Sequence, residues 1–163
     1  MPTRYTNPAK LGTPPGYTHV VEVTAPTRLV FLAGQLGSDK DGNFAGGKGD
    51  FRAQAVQVFE NLKTALATAG GGFEHLVKIT NFLVDIAHLP ILREVRAQYI
   101  GANPPASTLL VISALARPDA LLEIEAIAAM PPRAARAKKK AAPAKKSRQV
   151  LSRKVKTARR KRR

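Results

Sequence analysis

The sequence has no cysteine, no tryptophan, no acidic residue in its last 33 positions and no long uncharged apolar run. Without cysteine there can be no disulfide, thiolate nucleophile or cysteine-ligated zinc. The apolar stretch 121–130 contains two glutamates, which favours a strand over a membrane span. The first five residues lack the apolar core of a secretory signal. We therefore expect a soluble, cytoplasmic protein without a cleaved leader.

All of the net positive charge lies in the last 33 residues. Sixteen of the 27 lysine and arginine residues fall between Pro131 and Arg163, so the first 130 residues carry eleven basic and eleven acidic side chains. A neutral segment of that length is sufficient for one domain with a core. A cationic segment with few apolar residues cannot bury a core. We predict a folded domain over residues 1–130 and a disordered basic tail over residues 131–163.

Apolar periodicity and turn residues divide the first 130 residues into strands and helices. Asp50 is a candidate helix N-cap, and apolar positions recur after it at helical spacing until a run of three glycines begins at Gly70. The first two strands, with a short turn between them, are predicted to form a hairpin. The predicted strands are 17–24, 28–34, 76–85, 108–114 and 121–129, and the predicted helices are 51–69 and 89–100.

The predicted order of elements is β-β-α-β-α-β-β. Each helix then connects two strands and can cross over one face of the sheet, so that both helices cover the same face. This order predicts an α+β fold of two layers, a sandwich of helices on a sheet. The other face of the sheet is left uncovered by this chain.

The last strand indicates what the uncovered face carries. Its even positions, 122 to 128, are all apolar and are expected to meet the helices, whereas its odd positions place Glu123 and Glu125 on the opposite face beside Leu121 and Ile127. A face that is half apolar and half acidic is costly in water. Association with copies of the same chain would enclose it. The pattern therefore predicts a homo-oligomer with the carboxylates in clefts between subunits.

Several short segments together resemble one known family, the Rid proteins. These reactive-intermediate imine deaminases were once called YjgF or L-PSP endoribonucleases. The resemblance covers about residues 14–129, and the tail lies outside it. The segments that carry it are Pro14-Pro15-Gly16-Tyr17, Ala33-Gly34-Gln35, Gln54 with Asn61-Leu62, Val77-Lys78-Ile79-Thr80, Pro105-Ala106-Ser107 and Glu123-Ile124-Glu125-Ala126-Ile127-Ala128.

The resemblance implies a chorismate-mutase-like fold and a homotrimer whose sheets form a central barrel. It also implies ligand pockets at the subunit interfaces. Better-known members of the family hydrolyse enamines or imines to carbonyl compounds and ammonia, with no metal and no cofactor. The sequence, with no cysteine and three histidines, has no zinc-deaminase signature either.

Family residues can be carried over to matching positions. Glu123 would be the carboxylate that activates the attacking water, as general acid/base catalysis requires. Tyr17 would line the substrate pocket, and the backbone of Gly34 and Gln35 would border it. His19, on the same strand face as Tyr17, is a weaker candidate.

Two positions depart from the family pattern. The serine expected before Gly-Gln is Ala33, and the arginine expected after Pro-Ala is Ser107. In the deaminase branch that arginine binds the substrate carboxylate as a bidentate pair, for which serine is a poor substitute. Small 2-imino acids are therefore expected to be poor substrates. Arg117, between the last two strands, is the candidate cation that would bind the substrate carboxylate in place of this arginine.

The basic tail predicts a second kind of partner. A lysine- and arginine-rich segment without aromatic residues binds nucleic acid through phosphates and counterion release, with no base readout. The prediction does not distinguish DNA from RNA. Association with the nucleoid is one form that this binding would take. The alternative to a deaminase is a non-enzymatic ligand-binding module whose tail carries the function. Ribonuclease activity has little support, because no paired acid and base beside a phosphate clamp can be identified.

Overall fold

The computed structural model describes residues 3–25 and 28–132. Nearly all of the predicted basic tail, from residue 133 onward, lies outside the described residues. Short 3-10 turns occupy Ala9–Leu11, Phe73–His75 and Ile86–His88. The strands are β1 (Thr3–Thr6), β2 (Val20–Val23), β3 (Arg28–Leu36), β4 (Leu76–Leu83), β5 (Ala106–Val111) and β6 (Leu122–Met130), and the helices are α1 (Phe51–Ala69) and α2 (Leu89–Tyr99).

Helix α1 begins and ends where the sequence predicts. The Asp50 side chain accepts a hydrogen bond of 3.0 Å from the Ala53 N–H, which satisfies one of the free donors of the first turn. Gly70 follows the helix with φ of 83°, a left-handed conformation that glycine adopts without a steric penalty. The buried side of the helix includes Phe59 and Leu62. The predicted helix is confirmed.

The main sheet has four strands in the order β3-β6-β4-β5. Strand β6 is the last in sequence but lies inside the sheet, antiparallel to both β3 and β4. Strands β4 and β5 are parallel, and α2 connects them. Both helices pack against one face of this sheet in a single core. The predicted two-layer α+β fold is confirmed.

The predicted hairpin of the first two strands is wrong. Strand β2 pairs with β1 in a separate two-stranded sheet, while β3 pairs with β6. The connection has no glycine-containing turn of the type that matches strand twist, and β1, which was not predicted, supplies the backbone partner of β2. Residues 17–19 precede β2 because Thr18 bonds elsewhere, through its Oγ1 to the Pro104 carbonyl at 2.6 Å and through its N–H to Pro105 at 3.2 Å.

The side of the sheet away from the helices, here called the open face, carries the odd positions of β6. The even positions are buried in the core, as predicted, with Leu122 and Ile124 both at 0% exposure. On the open face Phe31 is 73% exposed and Leu29 is 53% exposed. Phe31 lies opposite Ile127 in the β3–β6 register. The open face thus carries exposed apolar side chains beside the two glutamates of β6.

Within the described ranges, 3–25 and 28–132, no helix is long and apolar enough to cross a membrane.

Candidate active site

Glu123 lies near one end of the open face, in contact with the backbone of a neighbouring strand. In the register of β6 it is opposite Leu36 of β3 and Phe82 of β4. A Cβ atom added to Gly34 would lie only 1.7 Å from Oε1 of Glu123. The carboxylate therefore occupies the space that a side chain at position 34 would take.

A β-bulge in β3 creates this contact. The pairing with β6 shifts register between Leu32 and Gln35, so Ala33 and Gly34 are the bulged residues. The side-chain amide of Gln35 donates hydrogen bonds through Nε2 to the backbone carbonyls of Ala33, at 3.0 Å, and Gly34, at 3.4 Å. Bulges re-aim side chains and are frequent beside active sites. The predicted Ala33-Gly34-Gln35 segment and Glu123 are thus brought together.

We predict that Gly34→Ala will displace the Glu123 carboxylate. Gly34 does not have a positive φ, so alanine fits the backbone there and the clash with Glu123 is the main effect. A misplacement of about 1 Å at a reacting group can cost roughly 100-fold in rate. We expect a loss of that order in the rate of ammonia release from an imine, without loss of the folded state by circular dichroism.

Gly101→Ala is the matched control for this substitution. Gly101 follows α2, and no atom lies within 4 Å of a Cβ built there. Its activity should equal that of the unmodified protein. Equal activity of Gly34→Ala and Gly101→Ala would contradict the inferred contact.

Ser107 lies away from Glu123 in the same chain. It pairs with Ile79 of β4, whose side chain is buried on the helix side, whereas Glu123 pairs with Phe82 on the open face. The two positions on β4 are separated by three residues, roughly 10 Å at the rise of a strand. One chain alone therefore does not form a site from both residues.

Asn81, which the sequence analysis did not single out, fixes the position of Ser107. It is 1% exposed, and its side-chain amide donates to Ser107 Oγ at 3.1 Å and to the Thr108 carbonyl at 2.8 Å. Its Oδ1 is buried without a hydrogen-bond partner among the described residues. Asn81 is a polar residue at a buried position of the strand, between Ile79 and Leu83, and this break in the alternation is the signal that could have identified it.

Tyr17 lies close to the start of β5. The bonds from Thr18 to Pro104 and Pro105 hold this segment there, two residues before Ser107. The Tyr17 ring meets the His19 ring edge-on, with centroids 5.2 Å apart. Tyr17 and Ser107 therefore lie toward the same end of β5, whereas Glu123 pairs with β4 toward the other end.

Arg117 contacts the loop between β3 and α1. Its Nη2 donates to the Gly42 carbonyl at 2.6 Å, and its guanidinium carbon lies 4.3 Å from the centre of the Phe44 ring, a cation–π contact. No described carboxylate lies within ion-pair distance of it. In this chain Arg117 contacts and stabilises the loop between β3 and α1. Its role as the cation that compensates for the missing family arginine stays a prediction.

A depression of about 520 Å³ lies on the open face beside the bulge. Glu125 lines it, while Glu123 does not. The Lys78 ammonium reaches the open face too and hydrogen-bonds Thr108 Oγ1. A ligand pocket normally surrounds most of its ligand, so this depression needs another surface to close it. Its further lining residues are Phe31, Leu32, Ala33, Thr80, Ala126 and Ile127.

Curated relatives are similar to this domain in sequence, and solved structures are similar to it in fold. Protein DfrA of Myxococcus xanthus is 39% identical over 112 residues, 69% of this chain and 83% of that protein. The 3-aminoacrylate deaminase RutC of Acinetobacter baylyi is 33% identical over 117 residues, 72% of this chain and 91% of that protein. The crystal structure of YyfB from Yersinia pestis, a Rid-family protein of unknown function, superposes with a TM-score of 0.73 at 34% identity, covering 80% of this chain and 100% of that one.

A second solved structure agrees. RidA from the Antarctic bacterium Psychrobacter has a TM-score of 0.59 at 33% identity, over 70% of this chain and 88% of that one. These likenesses confirm the chorismate-mutase-like fold that the resemblance implied. The family model described as endoribonuclease L-PSP matches residues 10–130, nearly the whole described domain. On this evidence the chain belongs to the L-PSP endoribonuclease family, the group that is also called Rid.

Proposed function

We propose that this protein is a homotrimer that hydrolyses enamines or imines, without a metal or cofactor, in clefts between its subunits. The observation that carries the proposal is the Glu123 carboxylate, held against Gly34 on an open face beside exposed apolar side chains. A relative of 33% identity is named 3-aminoacrylate deaminase, which supports the same class of reaction.

The separation of Ser107 and Glu123 supports a site shared between subunits. In one chain the two residues are on opposite sides of the sheet and three register positions apart. Tyr17 lies near the Ser107 end of β5. A neighbouring copy that covers the open face can bring its own Tyr17 and Ser107 to the Glu123 of this chain. Closed rings with identical interfaces are the common form of such assemblies.

In the proposed reaction water adds to the carbon of the C=N bond. Glu123 accepts a proton from the water as the water oxygen bonds to carbon, and it passes that proton to the nitrogen, which gives a neutral carbinolamine. The carbinolamine hydroxyl then gives its proton to Glu123, which transfers it to the nitrogen as the C–N bond breaks, so the products are a carbonyl compound and ammonia. An enamine first gains a proton at carbon and loses one from nitrogen to give the imine. General acid/base catalysis of this kind contributes about 100- to 10,000-fold in rate.

Ser107 limits which substrates the site binds well. Serine offers one neutral hydroxyl, and here that hydroxyl already accepts a hydrogen bond from Asn81. A hydrogen bond to a charged group contributes roughly 1.5 to 3 kcal/mol, so a carboxylate substrate binds about ten- to a hundredfold less tightly than it would opposite arginine. We therefore propose that the preferred substrate is an imine or enamine without a carboxylate at that position.

Release of ammonia tests the reaction. Freshly generated 2-iminopropanoate, 2-iminobutanoate and an uncharged aliphatic imine with an unsubstituted nitrogen are each mixed with the protein, and ammonia is followed against buffer. We expect acceleration for the uncharged imine and a smaller effect for the two imino acids. No acceleration with any of them would exclude deaminase activity on these substrates.

A non-enzymatic binding module is the second candidate, and the serine at position 107 favours it, because its neutral hydroxyl, which accepts a hydrogen bond from Asn81, stands where the deaminase branch of the family has an arginine. In that case ligands bind at the interface without being turned over. Saturable binding of an unreactive carbonyl compound, with no ammonia release from any imine, would favour this function over the first.

The tail is proposed to attach the trimer to nucleic acid. Fifteen lysine and arginine residues lie in 134–163, with no acidic residue among them. Phosphate contacts by such a segment release counterions, and the logarithm of the affinity then falls linearly with the logarithm of the salt concentration. Three tails on one trimer would also raise the avidity for a single polyanion.

We predict that deleting residues 134–163 will weaken binding to a 30-base-pair DNA by about 100-fold or more at 50 mM salt, measured by fluorescence anisotropy. The deletion keeps Pro131, whose carbonyl accepts a hydrogen bond of 3.0 Å from Arg28, so the domain should stay folded. A chain of full length with the fifteen cations replaced by glutamine is the control for tail length. Undiminished DNA binding by either variant would show that the tail is not the binding segment.

A further inference from the structure

A cavity with two arginines lies between α2 and the turn that precedes Tyr17. It has a volume of about 300 Å³, and Arg93 and Arg96 line it together with Pro15 and Gly16. The rest of its wall is partly apolar and includes Ile100. None of the residues assigned to the imine-hydrolysing site lines this cavity. It is a separate feature of the domain.

Arg96 is fixed in this cavity by a glycine turn. Its Nη2 donates to the Pro15 carbonyl at 3.2 Å. A Cβ atom on Gly16 would lie 2.5 Å from the same nitrogen, and the φ of 83° at Gly16 also disfavours a side chain. The guanidinium thus packs directly on the turn. Among the described residues, the Pro15 carbonyl is the acceptor that the Arg96 guanidinium bonds. Most of the five N–H groups of Arg96 therefore remain available to a ligand.

No acid balances these two cations in the described part of the chain. The glutamate next to them, Glu94, is engaged on both oxygens by Arg52, at 2.9 and 2.6 Å. No carboxylate lies within 4.0 Å of Arg93 or Arg96 among the described residues. Burial lowers the pKa of Arg96, and the charge of Arg93 lowers it further. Arginine stays protonated at neutral pH all the same, so an anion would stabilise the pair.

We propose that the Arg93–Arg96 cavity binds the phosphate group of a small phosphate monoester. Two positive charges match the charge of about −2 that a phosphate monoester carries at neutral pH, whereas a carboxylate or a nucleic-acid phosphodiester carries one negative charge. Guanidinium groups bind phosphate oxygens in a planar, two-pronged geometry. The apolar wall can contact the organic part of a small ester, and the volume suits a ligand of that size.

NMR of the ¹⁵N-labelled full-length protein tests this site without interference from the tail, because each resonance reports its own position. Methyl phosphate, inorganic phosphate and dimethyl phosphate are titrated separately at constant ionic strength. We expect methyl phosphate to shift the Gly16 amide and the Arg96 Nε resonances saturably, inorganic phosphate to do so more weakly, and dimethyl phosphate, a monoanionic diester, to bind at least about tenfold more weakly.

Arg96→Gln should weaken methyl phosphate binding by about tenfold to a hundredfold. Arg93 is exposed, so Arg93→Gln should leave the fold intact, and it should weaken methyl phosphate binding as well. Arg4→Gln removes the same charge from an exposed position on β1 and should bind as the unmodified protein does. If all three substitutions weaken methyl phosphate binding equally, the binding depends only on the overall charge of the protein, and the proposal is overturned. A DNA oligonucleotide that shifts these two resonances while methyl phosphate does not would also overturn it.

Discussion

Replacing Glu123 with glutamine is expected to lower the rate of ammonia release from the best imine substrate by about 100- to 10,000-fold. Glutamine has nearly the same shape, so it can occupy the place beside Gly34 that the carboxylate occupies now. It cannot accept a proton from water, so the step that generates the nucleophile loses its base. The measurement is the initial rate of ammonia release at saturating imine.

Two further glutamate substitutions make this result specific. Glu22→Gln removes the same charge from an exposed position on β2 and should leave the rate unchanged. Glu125→Gln changes the carboxylate that lines the depression on the open face. If Glu125→Gln abolishes the activity and Glu123→Gln does not, the role of Glu123 is assigned wrongly. Thermal unfolding of each variant checks that the fold is intact.

Replacing Phe31 with aspartate is expected to dissociate the proposed trimer. Phe31 is 73% exposed in the single chain and lies opposite Ile127 in the sheet. If neighbouring subunits cover it, the substitution removes roughly 1.5 to 3 kcal/mol of apolar burial at each of three sites and places an unpaired charge in each interface. We expect the mass in solution to fall from three times the chain mass to that of one 17.5 kDa chain.

Sedimentation velocity at micromolar concentration measures this change. Val56→Asp is the control, because Val56 is an exposed apolar residue on the outer side of α1, where no subunit contact is proposed. That variant should remain a trimer. An unmodified protein that is monomeric in the same experiment would overturn both the trimer and the shared site, since one chain does not bring Ser107 and Glu123 together.

The most predictable features were those that depend on residues close in sequence. The ends of α1 followed from Asp50 and Gly70, because a cap acts within one helical turn. The two faces of β6 followed from the alternation around Glu123, because successive strand residues point to opposite sides. The short strand β1 was missed, because four residues are too few to show a period.

The least predictable features join residues far apart in sequence. The partner of β2 could not be inferred, because strand pairing depends on which backbone edges meet in space. The Phe44 contact of Arg117 and the Asn81 contact of Ser107 link separate elements in the same way. The resemblance to a family gave the position of Ser107, but neither its neighbours nor its orientation.

The sequence by itself determined the helices, the buried and open faces of the last strand, the family and the division between a neutral domain and a cationic tail. All of these follow from local periodicity, composition or matching motifs. Only the tertiary structure decided that the bulge packs Gly34 against Glu123 and that Ser107 lies on the other side of the sheet. The reason is that strand register and bulges are set by long-range backbone pairing, and a shift of one residue moves a side chain to the opposite face.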